Sequence, residues 1–360
     1  MEVSTVGIFW RTQYLVDRHS PEWPFAAMQS LFLDAPGQIS LRDVPIPQPG
    51  PGELLVRVKA ATTCGTDLKA FRRGHPKIPM PGPFGHEYSG VVESAGEGAL
   101  FREGEAVMGV HSAPCQRCFW CLRGQENLCD SIMETMVLGS FAQYLLIPER
   151  IARLNIFSKP DNLPFVQASL LEPLASVAQG VLELRRMNVL PGVENALVIG
   201  PGAIGLMWLA ALKAECVANV TVAGRNPERL AVAEAMGANV ESAEAIPPLD
   251  PGYDLVIEAT GQVAIWESSV DHARRGGTAV LFGGPPGGTS ASFSTHRLHY
   301  DQITLLSPFH FGTEAVRLSR DWLTSLDFSP LISGERSLED ASTTFADLEA
   351  GRGIKYAFVP

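Results

Sequence analysis

The sequence has no excess of basic charge: 28 lysines and arginines stand against 39 aspartates and glutamates, which gives a formal net charge of −11 over 360 residues. An acidic chain repels nucleic-acid backbones and anionic membrane surfaces. The sequence also has no basic stripe with interleaved aromatic residues. We therefore expect neither a nucleic acid nor a membrane as partner.

A hydrophobic run long enough to cross a membrane is also missing. The longest apolar stretch, residues 196–212, is interrupted by three glycines and one proline, and it is typical of a strand, a turn and a helix. The N-terminus lacks a charged segment followed by an apolar core and a small-residue cleavage site. We therefore expect no signal peptide and a cytoplasmic protein.

Cysteine is scarce, but four of the six cysteines fall within fifteen positions: Cys115, Cys118, Cys121 and Cys129. In a cytosolic chain, such clustering favours a metal site over disulfides. Four thiolates can close a tetrahedral shell around one zinc ion and leave no position for substrate, so the predicted role is structural. Ordinary buried cysteines and a nucleic-acid-binding zinc ribbon are the alternatives, and the acidic charge argues against the ribbon.

The chain changes character near its middle. From Met28 to about Leu154 it is rich in valine, glycine and proline, and short strand-like runs such as 54–59 indicate an irregular β domain. From about Ser176 to Pro308, apolar strand-like runs alternate with helical ones. This alternation predicts βαβ units and a parallel sheet.

A glycine-rich turn connects the apolar run 196–199 to a helical run, in the order Gly200-Pro-Gly202-Ala203-Ile204-Gly205. Between a strand and a helix, this spacing is a dinucleotide-binding fingerprint. Gly200 permits the tight turn, Gly202 lets the backbone approach the pyrophosphate, and Gly205 lets helix and strand pack closely. The helix N-terminus, with Ala203 and Ile204, is then expected to face the phosphates.

The choice of cofactor is expected to be made at the end of the next strand, about 20 residues further on. Gly224 stands where an aspartate would bind the ribose hydroxyls of NAD, and Arg225 follows it. An arginine can pair with a 2′-phosphate that a carboxylate would repel, so the sequence favours NADP, with Arg229 as a second contact. NAD stays open, because Arg225 can also be a surface residue. A Gly224→Asp change is expected to shift preference toward NAD.

Four further residues are predicted at the cofactor site from the ends of strands. Asn226 is predicted to cap the helix that begins at Pro227. Thr260 and the Phe282-Gly283 turn follow two later strands, and cofactors lie at the carboxyl ends of such strands. We expect the Phe282-Gly283 turn to approach the nicotinamide.

Three separated segments carry further metal-ligating residue types: Cys64-Gly-Thr-Asp67, Gly85-His86-Glu87 and Glu172-Pro-Leu. Each is weak alone, since a lone histidine or cysteine is more often an ordinary core residue. Together with the cysteine cluster and the glycine fingerprint, however, these motifs stand in the order of a known family. From Met28 onward the chain resembles the zinc-containing medium-chain dehydrogenases/reductases, in particular the polyol branch typified by sorbitol (L-iditol) and threonine dehydrogenases.

This resemblance implies an α/β protein with a Rossmann doubly wound parallel sheet and an irregular, GroES-like β-barrel catalytic domain. The expected parts are an N-terminal extension at 1–27, the catalytic domain at 28–175 with its structural zinc loop at 115–129, the dinucleotide-binding domain at 176–312, and a return to the catalytic domain at 313–360. It also implies a homodimer or homotetramer.

By position, the resemblance implies that Cys64, His86 and Glu87 ligate a catalytic zinc ion. Glu172 sits where the family places a further ligand or a carboxylate that holds zinc-bound water. The four clustered cysteines match the structural zinc site, which makes two zinc ions per chain. Thr66 is expected to pass the alcohol proton toward solvent. Related enzymes often carry a histidine where this chain has Lys69, so the relay ends on Lys69 or on water.

The predicted function is hydride transfer between NAD(P) and the secondary alcohol or ketone of a polyol, cyclitol or related small hydroxy compound. A threonine or simple secondary-alcohol dehydrogenase is the nearest alternative. An enoyl or quinone reductase would lack the catalytic zinc, and a non-catalytic NAD(P)-binding scaffold would have lost a ligand or the fingerprint. Several side chains are further candidates for the substrate pocket: Lys69, Phe71, Arg72, His75, Trp120, Phe309 and His310.

Overall fold

The computed structural model describes residues 26–246 and 249–360, so nearly all of the predicted extension at 1–27 lies outside the described residues. The described chain divides into two compact units. The first comprises the described residues through Pro173 together with Gly312–Ser325 and Ile332–Pro360, and the second comprises Leu174–Phe311 and Leu326–Leu331.

The described residues form strands and α-helices that are numbered separately in chain order. The strands are β1 (Ala27–Ala35), β2 (Gln38–Pro45), β3 (Leu54–Thr62), β4 (Gly82–Pro83), β5 (Tyr88–Ala95), β6 (Ala106–Gly109), β7 (Tyr144–Ile147), β8 (Ile156–Ser158), β9 (Asn195–Ile199), β10 (Asn219–Gly224), β11 (Asn239–Ser242), β12 (Tyr253–Glu258), β13 (Ala273–Leu281), β14 (Thr304–Leu306), β15 (Ile332–Arg336) and β16 (Lys355–Phe358). The α-helices are α1 (Gly65–Arg73), α2 (Glu149–Leu154), α3 (Phe165–Ala168), α4 (Leu171–Arg186), α5 (Ala203–Ala214), α6 (Pro227–Ala235), α7 (Val263–His272), α8 (Thr295–His299), α9 (Thr313–Ser325) and α10 (Ala341–Glu349). None of these helices is long and apolar enough to span a bilayer.

The second unit is built on a parallel sheet with strand order β11-β10-β9-β12-β13-β14. Its central strand β9 is fully buried at Ala196, Leu197 and Val198, because helices cover both faces of such a sheet and each position then meets apolar neighbours. The predicted doubly wound sheet is therefore confirmed. One difference is that β13 begins at Ala273, whereas the sequence predicted a start at Thr278.

The first unit contains a mixed sheet in the order β15-β16-β3-β5-β6-β8, with β7 paired to β3, and a three-stranded sheet in the order β2-β1-β4. Its core includes a cluster of buried rings in which Phe141 lies 5.4 Å from Phe84 and 4.9 Å from Phe358 between centroids. Strand β3 lies between β16 and β5. This arrangement brings the end of β3 close to the first residue of β16 and to the segment that enters β5.

Candidate active site

Cys64 lies where the chain leaves β3 and enters helix α1, and it caps that helix. Its backbone is extended, its Sγ accepts a hydrogen bond from the Thr66 N–H at 3.4 Å, and its own N–H donates to the Asp67 carboxylate at 3.0 Å. This reciprocal capping box fixes the thiol at the N-terminus of α1, where the helix dipole favours negative charge.

His86 is held by the same carboxylate that completes the cap. Its Nδ1 lies 3.1 Å from Oδ1 of Asp67, and both side chains are buried. Burial lowers the pKa of His86, but the nearby Asp67 and Cys64 outweigh it and hold that pKa well above its usual value. A carboxylate on Nδ1 orients the ring and leaves Nε2 available to a metal. Asp67 was not predicted as a site residue, although its position three residues after a capping residue is the signal for it.

Glu87 and Glu172 lie beside Cys64 and His86. One donor atom each of Cys64, His86 and Glu87 lie within 4.8 Å of one another. Glu172, in the first turn of α4, places Oε2 4.0 Å from Nε2 of His86 and Oε1 3.1 Å from Nδ1 of His111. Thiolate, imidazole and carboxylate are the donors that zinc takes in catalytic sites, so the residues fit the metal. His111 is buried against this cluster, and the sequence pattern gave no signal for it.

The carboxylate of Glu87 is fully buried and already has two partners. Lys355, itself 2% exposed, places Nζ 2.9 Å from Oε1 and 2.8 Å from Oε2, and the Thr62 hydroxyl donates to Oε2. Burial raises the pKa of Glu87 to about 7, while Lys355 opposes that rise. The pair joins the start of β16 to the segment before β5, and it places a compensated negative charge next to Cys64 and His86.

Replacing Lys355 by methionine is expected to lower the free energy of unfolding by about 3–5 kcal/mol, because it leaves the buried Glu87 carboxylate without its counter-charge. The Lys355→Met, Glu87→Gln double variant removes both charges and is expected to recover much of the loss. Urea unfolding of the zinc-containing protein measures both, with Lys77→Met at an exposed position as control. Equal stability of Lys355→Met and wild type would contradict the role of Lys355 as the counter-charge of the buried Glu87 carboxylate.

The four clustered cysteines come together in the first unit. Their Sγ atoms lie within 4.8 Å of one another, with 3.5 Å between Cys118 and Cys121 and 4.0 Å between Cys115 and Cys121. A tetrahedral shell with Zn–S bonds of about 2.3 Å requires sulfurs about 3.8 Å apart, so the cluster fits zinc. A backbone hydrogen bond from Arg117 lowers the pKa of Cys115 to about 6, which favours the thiolate that binds metal.

In the second unit, a cavity of about 520 Å³ opens at the carboxyl ends of β9, β10 and β12. Its lining includes the following predicted cofactor residues: Gly200, Gly202, Gly224, Arg225, Asn226, Arg229 and Thr260. It also includes residues that were not predicted from the sequence to bind the cofactor: Ile199, Pro201, Ala223, Ala243, Glu244, Ala259, Gln262 and Ile265. Glu244 follows the short strand β11, which carried no clear apolar pattern.

The remaining predicted cofactor residues are not among the lining of this cavity. Ala203 and Ile204 begin α5. A Cβ on Gly205 would collide with the carbonyl oxygen of Gly200, so the helix can approach the strand this closely only because residue 205 is a glycine. Phe282 packs edge-to-face on Trp208 at 5.5 Å between centroids. The Gly283 carbonyl accepts a hydrogen bond from the Trp266 indole at 2.8 Å.

The chain is similar to known dehydrogenases over most of its length. The family described as "Alcohol dehydrogenase GroES-like domain" matches residues 50–156, and that described as "Zinc-binding dehydrogenase" matches residues 203–329. D-altritol 5-dehydrogenase of Agrobacterium fabrum is 34% identical over 254 residues, which cover 69% of this chain and 74% of that protein. The chain belongs to the zinc-containing medium-chain dehydrogenase/reductase family.

Together with D-altritol 5-dehydrogenase, a second relative supports the polyol and threonine dehydrogenase branch, and a solved structure confirms the fold. L-threonine 3-dehydrogenase of Bacillus velezensis is 29% identical over 340 residues, 89% of this chain and 95% of that protein. The crystal structure of a zinc-binding dehydrogenase of Sinorhizobium meliloti 1021 bound to NADP has a TM-score of 0.82 at 27% identity and covers 93% of this chain and 100% of that chain. The protein is therefore a nicotinamide-dependent dehydrogenase of the zinc type that acts on small molecules.

Proposed function

We propose that this dehydrogenase transfers a hydride between NADP and the secondary alcohol, or the matching ketone, of a hydroxyl-rich substrate such as a polyol or cyclitol. The observation that carries the proposal is the group formed by half-buried Cys64 and buried His86, with two buried carboxylates beside them. A structural zinc site has four protein donors and no open coordination position, whereas a site with three protein donors leaves one position for substrate. The four clustered cysteines are proposed to hold the second, structural zinc ion.

The roles of the residues follow from these contacts. When bound among these donors, zinc supplies Lewis acidity, which lowers the pKa of an alcohol and polarises a carbonyl. Asp67 orients His86, and Lys355 with Thr62 holds Glu87. We assign Glu172 as the carboxylate ligand at rest, because the Lys355 ammonium already neutralises Glu87, whereas Oε2 of Glu172 lies 4.0 Å from Nε2 of His86. The hydroxyl of Thr66, in the first turn of α1, is proposed to pass the alcohol proton toward Lys69 or water.

The class of substrate rests on polar character near Cys64 and on similarity to relatives that act on polyols. Lys69 lies on α1 five residues after Cys64 and is half-buried, and an ammonium group suits a hydroxyl-rich substrate better than an alkyl chain. A kinetic panel of polyols, cyclitols, threonine and simple secondary alcohols, each with NAD and NADP, tests the proposal. We expect the highest kcat/KM for a polyol or cyclitol. Activity confined to primary aliphatic alcohols would contradict the proposal, and a clear preference for threonine would favour the alternative.

NADP is proposed as the preferred cofactor because Arg225 and Arg229 line the cavity beside the end of β10 and no carboxylate ends that strand. Replacing Arg225 by alanine is expected to raise the Kd for NADPH about 10- to 100-fold, since a charge-assisted contact to a phosphate contributes about 1.5–3 kcal/mol. The Kd for NADH is expected to change little. Titration of the protein with each cofactor measures both constants.

A matched control for this experiment is Arg275→Ala, which removes an arginine of the same unit whose side chain is 84% exposed and outside the cavity lining. It should leave both constants unchanged. Equal effects of Arg225→Ala on NADPH and NADH would show that this arginine does not contact the 2′-phosphate. The subunit number and the cytoplasmic location stay predictions.

A further inference from the structure

The last residue of β10, Gly224, is a glycine for reasons of space. Its φ lies outside the left-handed region, so the backbone there accepts any residue type. A Cβ built on Gly224 would instead overlap Cγ and Cδ of the Pro201 ring, well inside van der Waals contact, and would lie 3.5 Å from Cδ2 of Leu230. Pro201 and Gly224 both line the cofactor cavity and are buried. The proline ring therefore occupies the volume that a side chain at position 224 would need.

Pro201 cannot easily give way, because the glycine-rich turn that carries it is held on several sides. The Gly200 N–H donates to the carbonyl of Ala223 at 2.8 Å, which ties the turn to β10 itself. A Cβ on Gly200 would lie 2.9 Å from Cγ2 of Thr260, so the turn is also packed against the segment after β12. Helix α5 also packs against the turn at Gly205, where a Cβ would overlap the carbonyl oxygen of Gly200. A pyrrolidine ring has no rotamer that swings it aside, so relief would require movement of this backbone.

We propose that Pro201 and Gly224 form a steric lock that determines cofactor specificity: the proline ring excludes any side chain, and hence any ribose-binding carboxylate, from the end of β10. The lock deepens the proposed function, since it rests on NADP as cofactor. It acts with Arg225 and Arg229, which supply positive charge at the same cavity. This revises the expectation drawn from the sequence alone: a single Gly224→Asp change would place a carboxylate where the proline stands, and it would weaken cofactor binding without simply converting the enzyme to NAD.

The lock predicts that any side chain at position 224 weakens cofactor binding, whether or not that side chain is charged. Gly224→Ala adds one methyl group without charge, and it is expected to weaken binding of NADPH and NADH alike by at least about tenfold, because overpacking a fixed site is costly. In the Pro201→Ala, Gly224→Ala double variant, most of this loss should be recovered. Gly192→Ala is the matched control, since a Cβ on that exposed glycine of the same unit meets no atom within 4 Å.

Two variants that carry an aspartate at position 224 then test the choice between NADPH and NADH. Gly224→Asp alone is expected to bind both cofactors poorly, whereas Pro201→Ala, Gly224→Asp is expected to bind NADH at least about tenfold more tightly than Gly224→Asp does and to lose NADPH. Kd values come from fluorescence titration of the zinc-containing protein in the absence of substrate. Thermal unfolding of each variant shows whether the fold survives.

Four outcomes separate the lock from the proposed choice of cofactor. Wild-type affinity in Gly224→Ala, or conversion to NADH by Gly224→Asp alone without loss of affinity, would overturn the lock. Failure of Pro201→Ala to restore binding in a folded Gly224→Ala background would do so as well. A wild-type protein that binds NADH more tightly than NADPH would overturn the proposed cofactor. That result leaves the comparison of Gly224→Ala with its double variant as an independent test of the steric contact.

Discussion

Replacing Cys64 by serine is expected to lower kcat/KM by at least about 10³-fold, because the Lewis acidity of a catalytic zinc ion contributes several kcal/mol to the barrier. A serine hydroxyl is a poor zinc ligand at neutral pH, so the metal should be lost or misplaced. The fold should survive, because Cys64 is also the N-cap of α1 and serine is among the best capping residues. Steady-state kinetics with thermal unfolding measures both effects.

The control for this substitution is Cys216→Ser, at an exposed cysteine of the second unit that belongs to neither cysteine-containing metal cluster. Its kinetics and stability should match the wild type. A Cys64→Ser protein that is folded and retains the full rate would show that this thiol takes no part in the reaction. A Cys64→Ser protein that fails to fold would be replaced by Cys64→Asn, whose amide oxygen also caps a helix and is a poor zinc ligand.

Replacing Cys118 by serine is expected to produce the opposite pattern, with a large loss of stability. The loop that carries the cluster exposes Phe119, Leu122 and Leu128 to solvent and so has little apolar core of its own. If the four cysteines hold zinc as proposed, the metal should supply most of the loop's folding free energy. A loss of several kcal/mol is then expected, below the ~10–16 kcal/mol seen when a zinc-finger peptide folds around its metal. The unfolding midpoint and protease cleavage within 115–129 measure the loss.

The loop is also tied to the rest of its unit. Glu126 accepts hydrogen bonds from the N–H of Thr313 at 2.9 Å and from the Thr313 hydroxyl, at the start of α9. Disorder of the loop would therefore leave the N-terminus of α9 without this partner. A Cys118→Ser protein with wild-type stability and an intact loop would exclude a structural zinc ion at the four cysteines.

The parts of this fold that the sequence predicts best are those set by neighbours along the chain. The alternation of 196–199, 203–215 and 219–223 matches β9, α5 and β10 closely, because a buried parallel strand must be apolar along its whole length. The cap at Asn226 is likewise local, and its side chain accepts a hydrogen bond from the Arg229 N–H at 3.1 Å. Strand β11 was missed because its residues, Asn239–Ser242, are partly exposed and lack such a pattern.

Contacts between distant segments could not be predicted in the same way. Lys355 falls in the predicted last strand, but its partner Glu87 lies 268 residues earlier, and only the pairing of β16 with β3 brings them together. His111 meets Glu172 for a similar reason, across segments with no shared periodicity. Pro201 stands at a position that the fingerprint leaves variable, and Gly224 stands where the fingerprint places an acid, so their mutual fit is visible only when β10 is placed beside the turn.

The most direct test of the catalytic assignment is the zinc content per chain of wild type, Cys64→Ser and Cys118→Ser, measured by mass spectrometry of metals on the folded, dialysed proteins. We predict two zinc ions for the wild type and one for each variant, with activity lost in the first variant and stability in the second. A wild type that holds a single zinc ion, retained in Cys64→Ser and absent from Cys118→Ser, would contradict a catalytic metal at Cys64 and His86.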